Sequence, residues 1–294
     1  MNYDSDSKIW RVGGPLFVYF GIRFLAESIM YVMLGYIYLK KINLDIAING
    51  VEYVEGFGDS VGRCSVFVSG LAMIATIPVM YYLMKRDYEY PVSPRNREHV
   101  FIPRKYIKKI KPESLVMPLI IGALGALGLG RLISLIPLDG ILGDYESVKN
   151  TYLSGSFIVQ IIVLGILSPV TEELLFRGLA YKRLKGYYDM TIAAYISGLM
   201  FAISHFNLIQ GIYAFIMGIL FVFIYEKKKS IVYPMAMHIG ANVMTVIMWA
   251  NPISKMMDER WYTSIPIAVA ETTLFVIYYV KCVYMEKEKD NEIT

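Results

Sequence analysis

The sequence predicts an all-α, polytopic membrane protein of about eight transmembrane helices with its active site inside the helix bundle. Three observations predict it. The 294-residue chain is 56% apolar and 18% charged. Its charges lie between long apolar runs, not through them. The runs reach about 20 residues, enough at ~1.5 Å per residue to cross ~30 Å of hydrocarbon.

Eight such windows follow in order: 15–39, 64–84, 114–136, 157–180, 191–207, 208–225, 230–250 and 262–283. The first is expected to stay as a spanning helix, because the leading MNYDSDSK is partly acidic and no small-residue cleavage site follows the apolar run. Between the first two windows, residues 40–63 carry Asp45, Glu52, Glu55 and Asp59 with several glycines, and are expected to form a polar outer loop. The third window holds Gly122, Gly125, Gly128 and Gly130, small residues that let helix backbones approach. The 85–113 connector, with four prolines, is basic, and 139–156 is a short acidic segment. Three regions follow: 1–150, an N-terminal three-helix membrane region; 151–250, a catalytic core; and 251–294, the last helix and its tail. Internal repeats are absent.

Lys and Arg of the connections, with Arg177 and Lys281 at the window edges included, number 21 on one side of the alternation and 6 on the other. By the positive-inside rule this places the protein in the cell membrane with both termini cytoplasmic. The basic run from Arg104 to Lys111 fits anionic lipid headgroups, so the bilayer is the expected partner and nucleic acid is not. Cys64 and Cys282 offer neither a disulfide framework nor metal spacing. Nothing in the sequence fixes an oligomeric state.

The chemistry concentrates in the second half. Ionisable groups at bilayer depth are costly and usually mark a working site. In SPVTEELLFR, Glu173 and Arg177 stand at i, i+4, where opposite charges meet, while Glu172 is turned about 100° away without a local partner. An unpaired carboxylate at low dielectric is the condition a general base needs. Phe201 and His205 share a helix face in the fifth window, and His238 and Asn242 do so in the seventh, where two hydrogen-bonding groups can grip one oxygen. His99 sits in the basic connector and has no part in this set. Counted along the helices, Glu172 lies about 15 Å deep, His238 about 14 Å and His205 about 21 Å. A tilt near 40° or a late helix start is therefore expected in the fifth window, and Pro169 is expected to bend the fourth.

Glu-Glu-x-x-x-Arg, Phe-x-x-x-His and His-x-x-x-Asn on successive membrane helices resemble the CPBP family of intramembrane proteases. That family takes in CAAX prenyl endopeptidases of the Rce type, Abi proteins and bacteriocin-processing or self-immunity proteins. Phe176-Arg177-Gly178 and the Tyr225-Glu226 and Pro234 context support the resemblance, which spans about 100 residues. It implies an intramembrane endopeptidase in which Glu172 and His205 activate water, His238 and Asn242 stabilise the oxyanion, and Glu173 with Arg177 tunes Glu172. Family members are described as metalloproteases and as glutamate-dependent proteases. Glu172, His205 and His238 could ligate zinc, but no HExxH is present, and the metal-free glutamic mechanism is preferred. The expected substrate is a membrane-associated peptide or protein. A composition rich in Lys, Ile, Asn and Tyr suggests an AT-rich bacterium, which would lack prenylated substrates. The alternatives are a non-catalytic immunity or peptide-signalling regulator and, with no paired repeat of broken helices in its favour, a proton-coupled transporter.

Overall fold

The structure is a computed structural model, and it describes residues 5–41, 46–89, 110–135, 156–250 and 261–285. The described residues form helices and their connecting turns, with no strand. Eight helices cover the eight windows: α1 (Ser5–Lys41), α2 (Ile46–Glu89), α3 (Val116–Ser134), α4 (Phe157–Lys185), α5 (Met190–Ile203), α6 (Leu208–Lys228), α7 (Val232–Ala250) and α8 (Trp261–Val280). Six of them are long and apolar enough to cross a membrane, all except α5 and α7. The protein is a multi-pass helical membrane protein.

Two boundaries differ from expectation. The polar stretch after residue 45 is not a loop, since α2 runs unbroken from Ile46. Once a helix is nucleated each added residue gains a hydrogen bond, and a glycine costs only ~1 kcal/mol, so the glycines there do not stop it. α5 ends at Ile203, not 207, and begins at Met190 without delay, because Asp189 caps it by accepting from the Thr191 and Ile192 amides at 2.9 and 3.0 Å. At 14 residues α5 is about 21 Å long, short of a full crossing. Most of the 85–113 connector, including His99, and all of 139–155 lie outside the described residues.

The site sits where α4, α5, α6 and α7 converge. Their inner faces pool Leu175, Phe176, Leu179, Phe201, Met217, Phe221 and Met237 into one buried core, which α3 and α8 close with Ile121 and Phe275. Glycine sets how closely α3 lies on α7. A Cβ at Gly122 would fall 1.7 Å from the Met237 carbonyl oxygen, and one at Gly240 would fall 2.0 Å from that of Leu119. Only glycine admits backbones this close.

Ion pairs fasten the end of the bundle that carries Lys185 and Lys229, the basic end. Arg183 binds Asp87 through Nε at 2.6 Å and Nη2 at 3.1 Å, and donates from Nη1 to the Arg11 carbonyl, joining α4 to α2 and α1. Glu226 of α6 accepts from Tyr181 at 2.8 Å and from Lys185 at 2.7 Å, tying α6 to α4, and from Lys229 at 3.0 Å. Arg131 and Glu271 pair at 3.2 Å between α3 and α8.

Candidate active site

The helix that carries the two carboxylates is irregular. α4 is π-helical over Ile161–Leu167, α-helical over Ser168–Glu173 and π-helical again over Leu174–Tyr181. Such π segments are uncommon and recur at functional sites. In the first, the Ser168 amide bonds back to the Val163 carbonyl, five residues away. The same register would give the Leu164 carbonyl the amide of residue 169, but residue 169 is proline and has none. Asn242 fills that gap, donating from Nδ2 to the Leu164 oxygen at 3.0 Å. Pro169 therefore frees a carbonyl inside α4 that recruits α7.

Glu173 and Arg177 form the buried base of the site, each with a side chain of 0% exposure. Arg177 donates from Nη1 to Glu173 Oε1 at 2.8 Å and from Nη2 to the Gly218 carbonyl of α6 at 3.0 Å. Its guanidinium lies 4.7 Å from the Phe201 ring centre and 4.9 Å from that of Phe221. These faces offer the cation an attractive surface where water cannot reach.

His238 stands on this base. Its Nδ1 bonds Glu173 Oε1 at 2.9 Å, and its ring stacks on Phe221 at 4.8 Å and meets Phe201 edge-on at 5.5 Å. Because Glu173 is an acceptor, Nδ1 carries the hydrogen, which assigns the tautomer. The other nitrogen, Nε2, then faces Glu172 Oε2 at 3.6 Å. That separation is too long for a direct hydrogen bond.

Glu172 is partly exposed, and it is not the unpartnered carboxylate the sequence suggests. Ser168, one turn earlier on α4, donates its hydroxyl to Oε1 at 2.5 Å. His238 and Asn242 share a helix face as expected but make separate bonds, one to Glu173 and the other to Leu164.

His205 lies in the turn after α5, its Nδ1 2.8 Å from the Phe201 carbonyl and its ring edge-on to Phe201 at 4.9 Å. No hydrogen bond or ion pair joins it to Glu172 among the described residues. The reason is depth. Ser197 donates to the Phe176 carbonyl at 3.3 Å, which levels α5 with α4. From there Glu172 is four residues outward, about 6 Å, and His205 eight residues outward, about 12 Å. Counted this way on parallel axes, the two differ in depth by about 6 Å, roughly one helical turn. Phe201 therefore stands as a wall touching Arg177, His205 and His238 at once.

Glu172, Glu173, Arg177 and His238 thus come together, with Asn242 anchored beside them and His205 set further out. Sequence reasoning missed Ser168, Phe221 and the Gly218 and Leu164 carbonyls. Ser168 was findable, four residues before Glu172. Among the described residues no three His, Cys, Asp or Glu side chains are grouped to hold a metal ion. Glu172 and His238 approach each other, but His205 does not complete a set with them.

The fold and site define a membrane-embedded helical protein with a carboxylate and imidazole centre inside its bundle. Residues 154–244 match the family model described as type II CAAX prenyl endopeptidase Rce1-like. This segment holds every residue of the site and is similar to the CPBP family of proteases. Over 102 residues the chain is 30% identical to the Bacillus subtilis (strain 168) protein named "Putative membrane peptidase YdiL", a stretch of 35% of this chain and 42% of that one. The chain thus aligns with less than half the length of that relative. No solved structure matches it.

Proposed function

We propose that the chain is a membrane-embedded endopeptidase that hydrolyses peptide bonds of membrane-associated peptides or proteins, with Glu172 as the base and no metal. One observation supports this most. The Glu172 carboxylate, held at one oxygen by Ser168, faces His238 Nε2 at 3.6 Å above an ion pair sealed from water. A water bonded to Oε2 gives its proton to Glu172 as its oxygen attacks the scissile carbonyl, whose π electrons move onto the carbonyl oxygen. His238, carrying a second proton, donates from Nε2 to that oxyanion, and Asn242 adds its amide once it leaves Leu164. The intermediate collapses as the proton on Glu172 passes to the leaving amine. His205 contributes from across the one-turn gap, where a water or the substrate backbone can bridge it to Glu172. A placed base is worth ~10²- to 10⁴-fold, and an oxyanion donor ~10²- to 10³-fold.

The substrate proposed is a peptide without a prenyl group. The relative's name says membrane peptidase and the family description says prenyl endopeptidase; the two agree on peptide hydrolysis. The distribution of basic residues supports a topology with both termini in the cytoplasm.

The test compares cleavage products in native membranes of the host carrying wild type or Glu172→Gln. Peptides that vanish in the variant are the expected outcome, and an unchanged product set would reject the proposal. Elemental analysis of purified, active protein addresses the metal. Zinc at one atom per chain, lost together with activity on chelation, would overturn the metal-free mechanism.

A further inference from the structure

We infer that Ser168 is a positioning residue for Glu172, kept on the carboxylate by Asn242, which satisfies the carbonyl that Ser168 would otherwise bond. A helical Ser or Thr hydroxyl ordinarily donates back to the carbonyl four residues earlier. Four threonines here do so: Thr76 to Ala72, Thr171 to Leu167, Thr245 to Ala241 and Thr273 to Val269, at 2.7–3.0 Å. For Ser168 that carbonyl is Leu164, and Ser168 instead donates forward, to Glu172 Oε1 at 2.5 Å.

The difference traces to Pro169. The proline leaves the Leu164 oxygen without its amide, and Asn242 Nδ2 occupies it at 3.0 Å. Ser168 is buried, so its hydroxyl needs an acceptor; at Leu164 it would share the oxygen with the Asn242 amide, whereas the Glu172 carboxylate is the stronger acceptor and takes it. The bond engages Oε1 and leaves Oε2 facing His238. Asn242 thereby governs Glu172 through Leu164 and Ser168 without touching it, a linkage between α7 and the carboxylate that runs through α4.

The catalytic consequence rests on the proposed role of Glu172; the linkage itself does not, so the experiment reads each separately. The linkage is read with dicyclohexylcarbodiimide, an apolar reagent that attacks membrane-embedded carboxyl groups. The full-length protein in detergent micelles is labelled, and modification of Glu172 and of Glu173 is followed by mass spectrometry. Removing a hydrogen bond to a charged acceptor exposes that acceptor, so Ser168→Ala should speed labelling of Glu172 about tenfold. Asn242→Ala should also speed it, the double variant should be no faster than the faster single one, and Ser168→Thr should restore the wild-type rate. Glu173, on the neighbouring position, should stay at its wild-type rate throughout. A Ser168→Ala rate within about twofold of wild type, or fully multiplicative effects of the two alanines, would overturn the linkage. So would parallel gains at Glu173, which would mark general loosening. In cleavage of the peptides found by product comparison, Ser168→Ala should lower kcat with little change in KM. If Glu172→Gln cleaves them normally, the proteolytic role of Glu172 fails while the labelling result stands.

Discussion

Removing the Arg177 guanidinium should destabilise the protein more than any other single change in the site. In Arg177→Met the side-chain volume is roughly kept, but the carboxylate of Glu173 loses its 2.8 Å partner at 0% exposure. Breaking a buried pair from one side typically costs ~3–5 kcal/mol, because the surviving charge is out of reach of water, and here, among the described residues, His238 Nδ1 would be left as its hydrogen-bond donor. The Gly218 carbonyl loses its 3.0 Å donor as well, and the Phe201 and Phe221 faces lose their cation. Taking ~3 kcal/mol as the lower bound, at ~2–4 °C per kcal/mol for a large domain, Tm should fall by about 6–12 °C. The assay is thermal unfolding in micelles, backed by equilibrium unfolding in a denaturing detergent. A double-mutant cycle sharpens it. Adding Glu173→Gln to Arg177→Met should recover part of the loss, since the amide carries no orphaned charge. A loss under about 1 kcal/mol for Arg177→Met, or a double variant weaker than either single one, would refute the claim that the pair carries the base of the site.

Two changes outside the site test the packing. Gly240→Ala places a methyl 2.0 Å from the Leu119 carbonyl and should cost about 1–3 kcal/mol or more, whereas Gly130→Ala, with open space around it, should be neutral or stabilising; unfolding of both variants in micelles compares them. At Phe206, φ is 52°, a left-handed backbone that glycine adopts freely. Phe206→Gly should therefore be more stable than Phe206→Ala by about 1 kcal/mol, the reverse of the usual order, as measured by the same unfolding.

The fold was readable because membrane helices announce themselves by unbroken apolar length, a signal that needs no tertiary information. The polar 46–63 stretch was not readable, since its glycines and acidic residues look like a loop while the backbone is helical. The Glu173–Arg177 pair was legible from i, i+4 spacing alone. What spacing could not give were contacts between helices. That Nδ1 of His238 reaches Glu173 depends on where α4 lies against α7, a contact at which a Cβ on Gly165 of α4 would fall 2.9 Å from Val243 of α7. The Asn242 bond to Leu164 depends on a π register, which leaves no periodic trace in the sequence.

The bonds of the site also fix which of its atoms remain for chemistry. Glu173 Oε1 takes both Arg177 Nη1 and His238 Nδ1, and Glu172 Oε1 takes the Ser168 hydroxyl, which leaves Glu172 Oε2 and His238 Nε2 facing each other at 3.6 Å. The proposed base and the proposed oxyanion donor therefore act across one gap, on one bound carbonyl and one water. Groups that act as a unit lose activity together, so Glu172→Gln and His238→Ala should each lower kcat by about 10²-fold or more, and the double variant should lose little beyond the worse single one. Fully multiplicative losses in peptide cleavage would show that the two groups act separately and that the oxyanion donor must be sought elsewhere.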